Sequence, residues 1–235
     1  MGGIKENLRL VRERVARACE RSNRSPDEIV IIGVTKTFDA SVVKEAVEAG
    51  ITHIGENYVQ EARSKKEILG NIPVTWHMIG HLQSNKAKQA VQIFDWIHTL
   101  DRLSLAEKLN RLVSQQKDKP LPVLLQVKVG QEDTKSGIAP DELFRLYDEV
   151  SQMEGLQIRG LMTIPPYFEN PEDVRPYFRQ LADLLKRLKD RSDRPELLTE
   201  LSMGMSHDFE VAIEEGATMI RVGTAIFGER PSCRR

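Results

Sequence analysis

Short runs of branched apolar residues alternate with amphipathic stretches along most of the chain. Residues 29–34 read IVIIGV, and a further strand-like stretch, with LLQVKV at its heart, lies at 122–129. Continuous runs such as the first are typical of strands that are buried on both faces of a parallel sheet. Between them, apolar residues return at steps of three and four, which indicates helices that lay one face on the sheet. The pattern therefore predicts strands and helices in alternation.

The predicted elements form strand–helix units behind one leading helix. In that helix, over residues 4–21, apolar side chains recur at helical spacing at Ile4, Leu8, Val11, Val15 and Ala18. The predicted strands lie at 29–37, 52–55, 74–79, 96–100, 122–129, 156–164, 201–203 and 218–222. Eight units in 235 residues predict an α/β fold, a single (β/α)8 TIM barrel with an extra N-terminal helix, since such barrels have about 250 residues. An open doubly wound sheet is the alternative, but the even spacing favours closure.

No linker or break in composition divides the chain, so we expect one domain over residues 1–235. Within it, residues 1–24 form the N-terminal helix packed on the barrel, and residues 229–235 form a tail. Local signals mark three of the helix starts. They are Asp39 or Ser41 before the helix over 42–49, the capping-box pattern from Ser104 to Glu107, and Asn170 before a long helix that ends near residue 189.

The composition excludes several classes of protein. The chain is 40% hydrophobic and 29% charged, which is ordinary for a soluble globular protein. Lysine and arginine number 34 against 35 acidic residues, so the basic excess of a nucleic-acid-binding protein is missing and we expect no such partner. Cys19 and Cys233 do not have the spacing of a zinc site. No signal-peptide core and no apolar run near the ~20 residues of a membrane span occurs, so we expect a cytoplasmic protein without a membrane partner.

Lys36 follows the first apolar run directly and is the first candidate for chemistry. In parallel α/β folds the carboxyl ends of the strands carry the functional groups. A lysine that is half out of water there loses its proton more easily and can attack a carbonyl. This stretch alone fits better a surface lysine whose stem lies along the strand end.

The last two strand ends carry glycines and hydroxyl side chains. On this fold, the loops after strands 7 and 8 commonly bind phosphate, and here they read SMGMS at 202–206 and RVGT at 221–224. The short helix predicted after Gly223 directs its N-terminus at the same place. Strand 8 adjoins strand 1 in a closed barrel, so a phosphate site would lie beside Lys36. That combination suits a phosphorylated aldehyde, above all pyridoxal phosphate, held as a Schiff base to Lys36 with Arg221 facing the pyridine nitrogen.

Five motifs give this prediction a family. In chain order they are VTK at 34–36, GENY at 55–58, WHMIGHLQSNK at 76–86, LSMGMSHD at 201–208 and RVGTAIFG at 221–228. By these motifs the chain resembles the pyridoxal-phosphate homeostasis proteins, which are single-barrel relatives of the alanine racemase N-terminal domain. The resemblance runs from about residue 29 to 230, and the tail after Gly228 lies outside it.

The resemblance implies a protein that binds pyridoxal phosphate covalently at Lys36 and helps to regulate its supply without strong catalytic activity. It also implies a role for further residues: phosphate binding by Ser206, Gly223 and Thr224, contact of Arg221 with the ring nitrogen, Asn57 beside the cofactor, and Met203 packed near the ring. We further expect a monomer whose protein partners are pyridoxal-phosphate-dependent apoenzymes.

Two other functions compete with this one. The first is a pyridoxal-phosphate-dependent amino-acid racemase. Racemases that resemble this chain add a second domain and take a catalytic tyrosine from the opposite subunit, and we expect no such domain here because the sequence ends just after the eighth unit. The second is a cofactor-free Schiff-base aldolase, which would leave Arg221 and the phosphate loops unexplained.

Four polar residues in the motifs and loops are ambiguous. We expect His77 and His81 to be hydrogen-bonded structural histidines, because no carboxylate accompanies them in a catalytic pattern. Lys86 can cap a helix or contact anions. Lys135 lies in a loop at the end of the barrel where the chemistry is expected.

Overall fold

The strands close into a barrel with the helices outside it. The computed structural model describes residues 3–130 and 136–229. Eight parallel strands pair in chain order, and the last pairs with the first. The strands are β1 (Val30–Val34), β2 (His53–Glu56), β3 (Thr75–Met78), β4 (Trp96–Leu100), β5 (Leu121–Gln126), β6 (Leu156–Met162), β7 (Glu200–Met205) and β8 (Met219–Val222). The helices are α1 (Ile4–Arg21), α2 (Ala40–Glu48), α3 (Val59–Leu69), α4 (Ala87–Ile93), α5 (Leu103–Gln116), α6 (Leu143–Val150), α7 (Arg175–Arg191), α8 (Phe209–Glu214) and α9 (Thr224–Phe227). The predicted (β/α)8 barrel with a leading helix is confirmed.

The apolar core has an inner and an outer part. Ile32, Leu124, Met162 and Met219 form a small cluster of buried residues. They come from strands on different sides of the closed barrel, so they meet because their side chains point inward. A larger cluster fills the space between the outer faces of the strands and the helices. Because side chains alternate along a strand, residues two positions away from these four in the chain also face the interior. Residues paired with them in register on the next strand do the same.

The leading helix is part of the barrel's outer layer, as its periodicity predicts. The predicted apolar stripe of α1 is buried, and the helix packs against α8 and α9. Asn7 fixes it to the last helix, since its Nδ2 donates a hydrogen bond to the carbonyl of Ile226 at 2.9 Å. The N-terminal segment therefore supports the end of the barrel that holds the predicted phosphate loops.

The helix starts agree only partly with the local signals. Ser104 lies inside α5, and Arg102 takes the N-cap position without a side-chain cap, so the predicted capping box is wrong. Arg102 is fixed by tertiary contacts instead, donating to the carbonyl of Leu82 at 2.8 Å. Asn170 does cap a helical turn, because its side chain accepts from the amide of Glu172, but this first turn is a 3-10 helix.

No helix within residues 3–130 and 136–229 is long and apolar enough to cross a membrane.

Candidate functional site

Lys36 lies on a turn just beyond the carboxyl end of β1. The strand ends at Val34, and Lys36 is half-buried two residues later. The next residue, Thr37, has a φ of 72°, which is unusual for a β-branched side chain. Its amide donates to Glu61 Oε1 at 2.5 Å. The turn that carries Lys36 is therefore held in a strained conformation by a contact from α3.

A largely buried group of polar and charged side chains supports this turn from outside the barrel. Lys65 on α3 donates through Nζ to the carbonyl of Thr35 at 2.6 Å, to Glu56 at 2.7 Å and to Glu61 at 2.7 Å. The Thr35 hydroxyl donates to Glu56 at 2.5 Å. Burial raises the pKa of Glu56, and the nearby Lys65 ammonium opposes that shift. We call Thr35, Glu56, Glu61 and Lys65 the Lys65 cluster. The motifs contain two of its members but gave no sign of the cluster itself.

The structure brings together the three predicted phosphate-binding residues. The Ser206 hydroxyl oxygen accepts from the amides of Gly223 at 3.1 Å and Ala225 at 3.2 Å. Thr224 is the first residue of α9. A Cβ placed on Gly223 would lie 3.7 Å from the Cβ of Val34. The backbone amides and hydroxyls therefore lie beside the end of β1, close to the turn that carries Lys36.

Arg221 points into the barrel beneath this loop. It is paired in register with Ile32 on β1, whose side chain faces inward. Its Nη1 donates to Ser202 Oγ and its Nη2 to the carbonyl of Thr163, each at 2.7 Å. Burial lowers the pKa of Arg221 to about 10, and Asp208 opposes the shift. The guanidinium is therefore still a cation at neutral pH and is fixed by two hydrogen bonds.

The structure places Met203 on the outer side of β7. The pairing of β7 with β8 shifts between Ser202 and Met205, so that Met205 is paired with Arg221. Gly204 takes a φ of 90° within this irregularity. Met203 is fully buried in the outer cluster, away from the interior where the resemblance predicts it. Met205 takes the inward position instead, because the irregularity displaces the simple alternation by one residue.

Asn57 lies where the ends of β2 and β3 approach each other. It follows β2 directly and is half-buried. A Cβ on Gly80 would lie only 2.4 Å from the Asn57 carbonyl oxygen, so this close approach needs a glycine. Asn57, His81 and Lys86 line a cavity of about 470 Å³ at this end of the barrel. His81 is largely exposed, with Nδ1 3.3 Å from the Ser136 hydroxyl, and Lys135 lies outside the described residues.

A row of histidines crosses the barrel interior below Arg221. His53 Nδ1 lies 2.9 Å from His77 Nε2, and His77 Nδ1 lies 2.9 Å from His98 Nε2. His98 Nδ1 is in turn 2.9 Å from Ser202 Oγ. Burial lowers the pKa of His77 to about 3 and lowers the pKa of His98 well below its usual value. Both rings are thus neutral at pH 7, and the prediction that His77 is a hydrogen-bonded histidine is confirmed.

Sequence reasoning missed His53, His98 and Ser202. The available signal was that each is a polar residue at a strand position whose side chain points inward. The sequence does not show which residues point inward, because the ends of a strand cannot be predicted to single residues.

The donors at this end of the barrel fit a phosphorylated aldehyde. Backbone amides and the hydroxyls of Ser206 and Thr224 suit phosphate oxygens. The Arg221 guanidinium suits an acceptor such as a pyridine nitrogen, and the Lys36 amine suits an aldehyde carbon. Within the described ranges, no group of histidine, cysteine and acidic residues could hold a metal ion.

Comparisons with known proteins agree with this chemistry. The family model for the alanine racemase N-terminal domain matches residues 3–231. The pyridoxal phosphate homeostasis protein of Aquifex aeolicus is 45% identical over 225 residues, covering 96% of this chain and 97% of the relative. The protein of the same name from Escherichia coli K12 is 44% identical over 235 residues, with 98% of both chains covered.

Solved structures extend the comparison. The structure of PipY from Synechococcus elongatus PCC7942 with PLP bound matches with a TM-score of 0.81 and 39% identity, covering 92% of this chain and all (100%) of PipY. Alanine racemase from E. faecalis matches with a TM-score of 0.69 and 19% identity, covering 98% of this chain and 59% of the racemase. At that identity the racemase shows a shared fold and nothing more.

Proposed function

Because the chain belongs to the pyridoxal phosphate homeostasis proteins, a family built on the alanine racemase N-terminal domain, we propose that it binds pyridoxal phosphate and takes part in its homeostasis. The observation that carries the proposal is the meeting of the Ser206–Gly223–Thr224 loop with the turn that holds Lys36. The PLP-bound structure of PipY supports it at 39% identity.

Lys36 is proposed to hold the cofactor covalently. Its amine would condense with the aldehyde to form a Schiff base, and water would leave as the second product. The position of Lys36 supports this, because it is half-buried at the exit of β1 and next in the barrel to β8. The Lys65 cluster holds the backbone on either side of the amine and so fixes the place from which it reacts.

The phosphate is proposed to bind at Ser206, Gly223 and Thr224. The amides of Gly223 and Ala225 already converge on one oxygen, that of Ser206. An anion oxygen needs the same convergence of donors. The hydroxyls of Ser206 and Thr224 would add donors, while Asn57 would contact the cofactor from the β2 side and Met205 would line the interior beneath it.

Arg221 is proposed to face the ring nitrogen and to limit catalysis. When bound, the cofactor supplies an electron sink whose strength depends on protonation of that nitrogen. Arginine carries only donors, so it would hold the nitrogen as an unprotonated acceptor. The protein is therefore proposed to store or deliver the cofactor, with pyridoxal-phosphate-dependent apoenzymes as recipients, and not to act as a strong catalyst.

The chain is also proposed to be a monomer. A closed barrel buries its own core, and Lys36, Ser206 and Arg221 all come from one chain. Light scattering at micromolar concentration should give about the mass of one chain, 26.7 kDa. A dimer that brings residues of both chains to Lys36 would contradict the proposal and would favour a racemase-like enzyme.

Borohydride trapping tests the cofactor assignment. Reduction of the protein loaded with pyridoxal phosphate, followed by peptide mass spectrometry, should place the adduct on the peptide that contains Lys36. Lys36→Ala should fold normally and lose the adduct, because a lysine at a strand end contributes little to the core. Lys86→Ala, at the same end of the barrel, is the matched control and should keep the adduct. An adduct found mainly on Lys86 or Lys135 would refute the assignment.

A further inference from the structure

The polar row inside the barrel ends at the residue proposed to face the cofactor ring. Five side chains from five strands follow one another within 2.9 Å: His53, His77, His98, Ser202 and Arg221. All but His53 are buried, and His53 is half-buried near the amino-terminal end of the barrel, on a cavity that Thr52 also lines. The row therefore spans the interior from that end to the cofactor end.

Counting donors and acceptors shows in which direction the hydrogen bonds of this row are donated. Arg221 can only donate, so Ser202 Oγ accepts from it. The other described partner of that oxygen is His98 Nδ1. The Ser202 hydroxyl therefore has an acceptor for its proton only if it donates to His98 Nδ1. A neutral His98 must then carry its own proton on Nε2 and donate it to His77 Nδ1. By the same rule, His77 donates from Nε2 to His53 Nδ1.

The opposite direction leaves a buried donor without an acceptor. If His98 Nδ1 carried the proton, Ser202 Oγ would accept from both His98 and Arg221. The serine proton would then have no acceptor among its described partners. A buried donor without an acceptor costs about 1–3 kcal/mol, which favours the first direction.

Resting on the proposed function, we propose that Ser202, His98 and His77 are positioning residues for Arg221. Their protons all point the same way, which keeps Ser202 Oγ an acceptor for Nη1. Together with the Thr163 carbonyl on Nη2, this fixes the plane of the guanidinium. The remaining N–H groups of Arg221 are thereby held in one orientation toward the proposed place of the cofactor ring. The histidines act through Arg221 and do not touch the cofactor.

Histidine tautomers test the direction without any cofactor. In full-length protein labelled with ¹⁵N-histidine, long-range proton–nitrogen correlation spectra show which ring nitrogen carries the proton. We expect the Nε2–H tautomer for His53, His77 and His98 in the cofactor-free protein. The Nδ1–H tautomer at His98, or a mixture there, would overturn the proposal. This result stands whether or not pyridoxal phosphate binds, so it is separate from a failure of the proposed function.

Ser202→Ala tests the link to the cofactor. It should release His98 from a single tautomer and shift the absorbance maximum of bound pyridoxal phosphate, while borohydride still traps the adduct on Lys36. Trp96→Phe is the matched control, since the Trp96 ring packs against His77 at 6.0 Å between centroids but belongs to none of the hydrogen bonds in the row. It should leave both signals unchanged. An unshifted absorbance maximum in Ser202→Ala would refute the positioning role.

Discussion

At the scale of single residues, the phosphate loop allows a direct test with two ligands. Thr224→Ala removes one proposed donor to a charged oxygen. Such a bond contributes about 1.5–3 kcal/mol, so affinity for pyridoxal phosphate should fall about tenfold or more. Pyridoxal lacks the phosphate, and its affinity should barely change. Equilibrium titration of both ligands measures the difference, with the exposed Thr199→Ala as control. Equal losses for the two ligands would contradict the assignment of the phosphate site.

The Lys65 cluster gives a second test at this scale. Lys65→Met leaves Glu56 buried without its cation, which typically costs about 3–5 kcal/mol. Urea unfolding should show this loss at neutral pH, whereas the exposed Lys88→Met should be close to neutral. Adding Glu56→Gln to Lys65→Met should restore part of the lost stability, because no buried charge then remains unpaired. A double variant as unstable as Lys65→Met would show that the charge is not the cause.

The pH dependence of Lys65→Met follows from the same burial. Burial already raises the pKa of Glu56, and loss of the Lys65 cation raises it further. A raised carboxyl pKa means that the folded state binds a proton that the unfolded state releases, so stability falls as pH rises through that interval. The deficit of Lys65→Met should therefore shrink as the pH is lowered from about 7 to about 5. A deficit independent of pH would contradict this account.

Single residues also show which parts of the candidate site could be predicted from the sequence. Lys36 was a candidate from the sequence because it follows a branched apolar run whose end is visible, and Arg221 was one because it lies near the end of the eighth predicted strand. Met205 was not, because an irregularity at Gly204 changes which residues of β7 face inward. Irregular pairing of this kind depends on how neighbouring strands fit together and leaves no clear local pattern.

At the scale of elements, the loops after β2 and β3 depend on each other. An added Cβ at Gly80 would lie 2.6 Å from the Asn57 Cα as well as against its carbonyl oxygen. Gly80→Ala should therefore displace Asn57, weaken pyridoxal phosphate binding and lower stability by about 1–3 kcal/mol, as overpacking typically does. Gly3→Ala, where nothing lies within 4 Å of the added atom, is the control. Unchanged cofactor affinity in Gly80→Ala would mean that Asn57 does not contact the cofactor.

The elements were more predictable than their ends. Helix α1 was predicted to the residue because its apolar stripe is long and regular. The start of α5 was predicted wrongly at Ser104, since the contact of Arg102 with the Leu82 carbonyl outweighs a local capping signal. Tertiary contacts of this kind join elements far apart in sequence and cannot be inferred from a short window.

At the scale of the whole molecule, a row of hydrogen-bonded side chains runs through the barrel interior from one end to the other. The count of strand–helix units was enough to predict closure, and closure places β8 beside β1. The polar row from His53 to Arg221 was not predictable, because its hydrogen bonds cross the interior between β4 and β7 and form only once the barrel is closed. Its consequence is that the Arg221 guanidinium is held in place by hydrogen bonds to Ser202 and to the Thr163 carbonyl.

This arrangement predicts slow chemistry at the amino-acid α-carbon. If Arg221 keeps the ring nitrogen unprotonated, the bound cofactor is a weak electron sink, and the α-proton of a substrate is lost rarely. Incubation with L-alanine in deuterated water should therefore give deuterium uptake far below ordinary enzymatic turnover of about 10 per second. Lys36→Ala with the same amount of pyridoxal phosphate measures the background of the free cofactor. Lys36-dependent uptake at about the ordinary enzymatic rate would identify an enzyme and would favour the racemase-like alternative over cofactor storage.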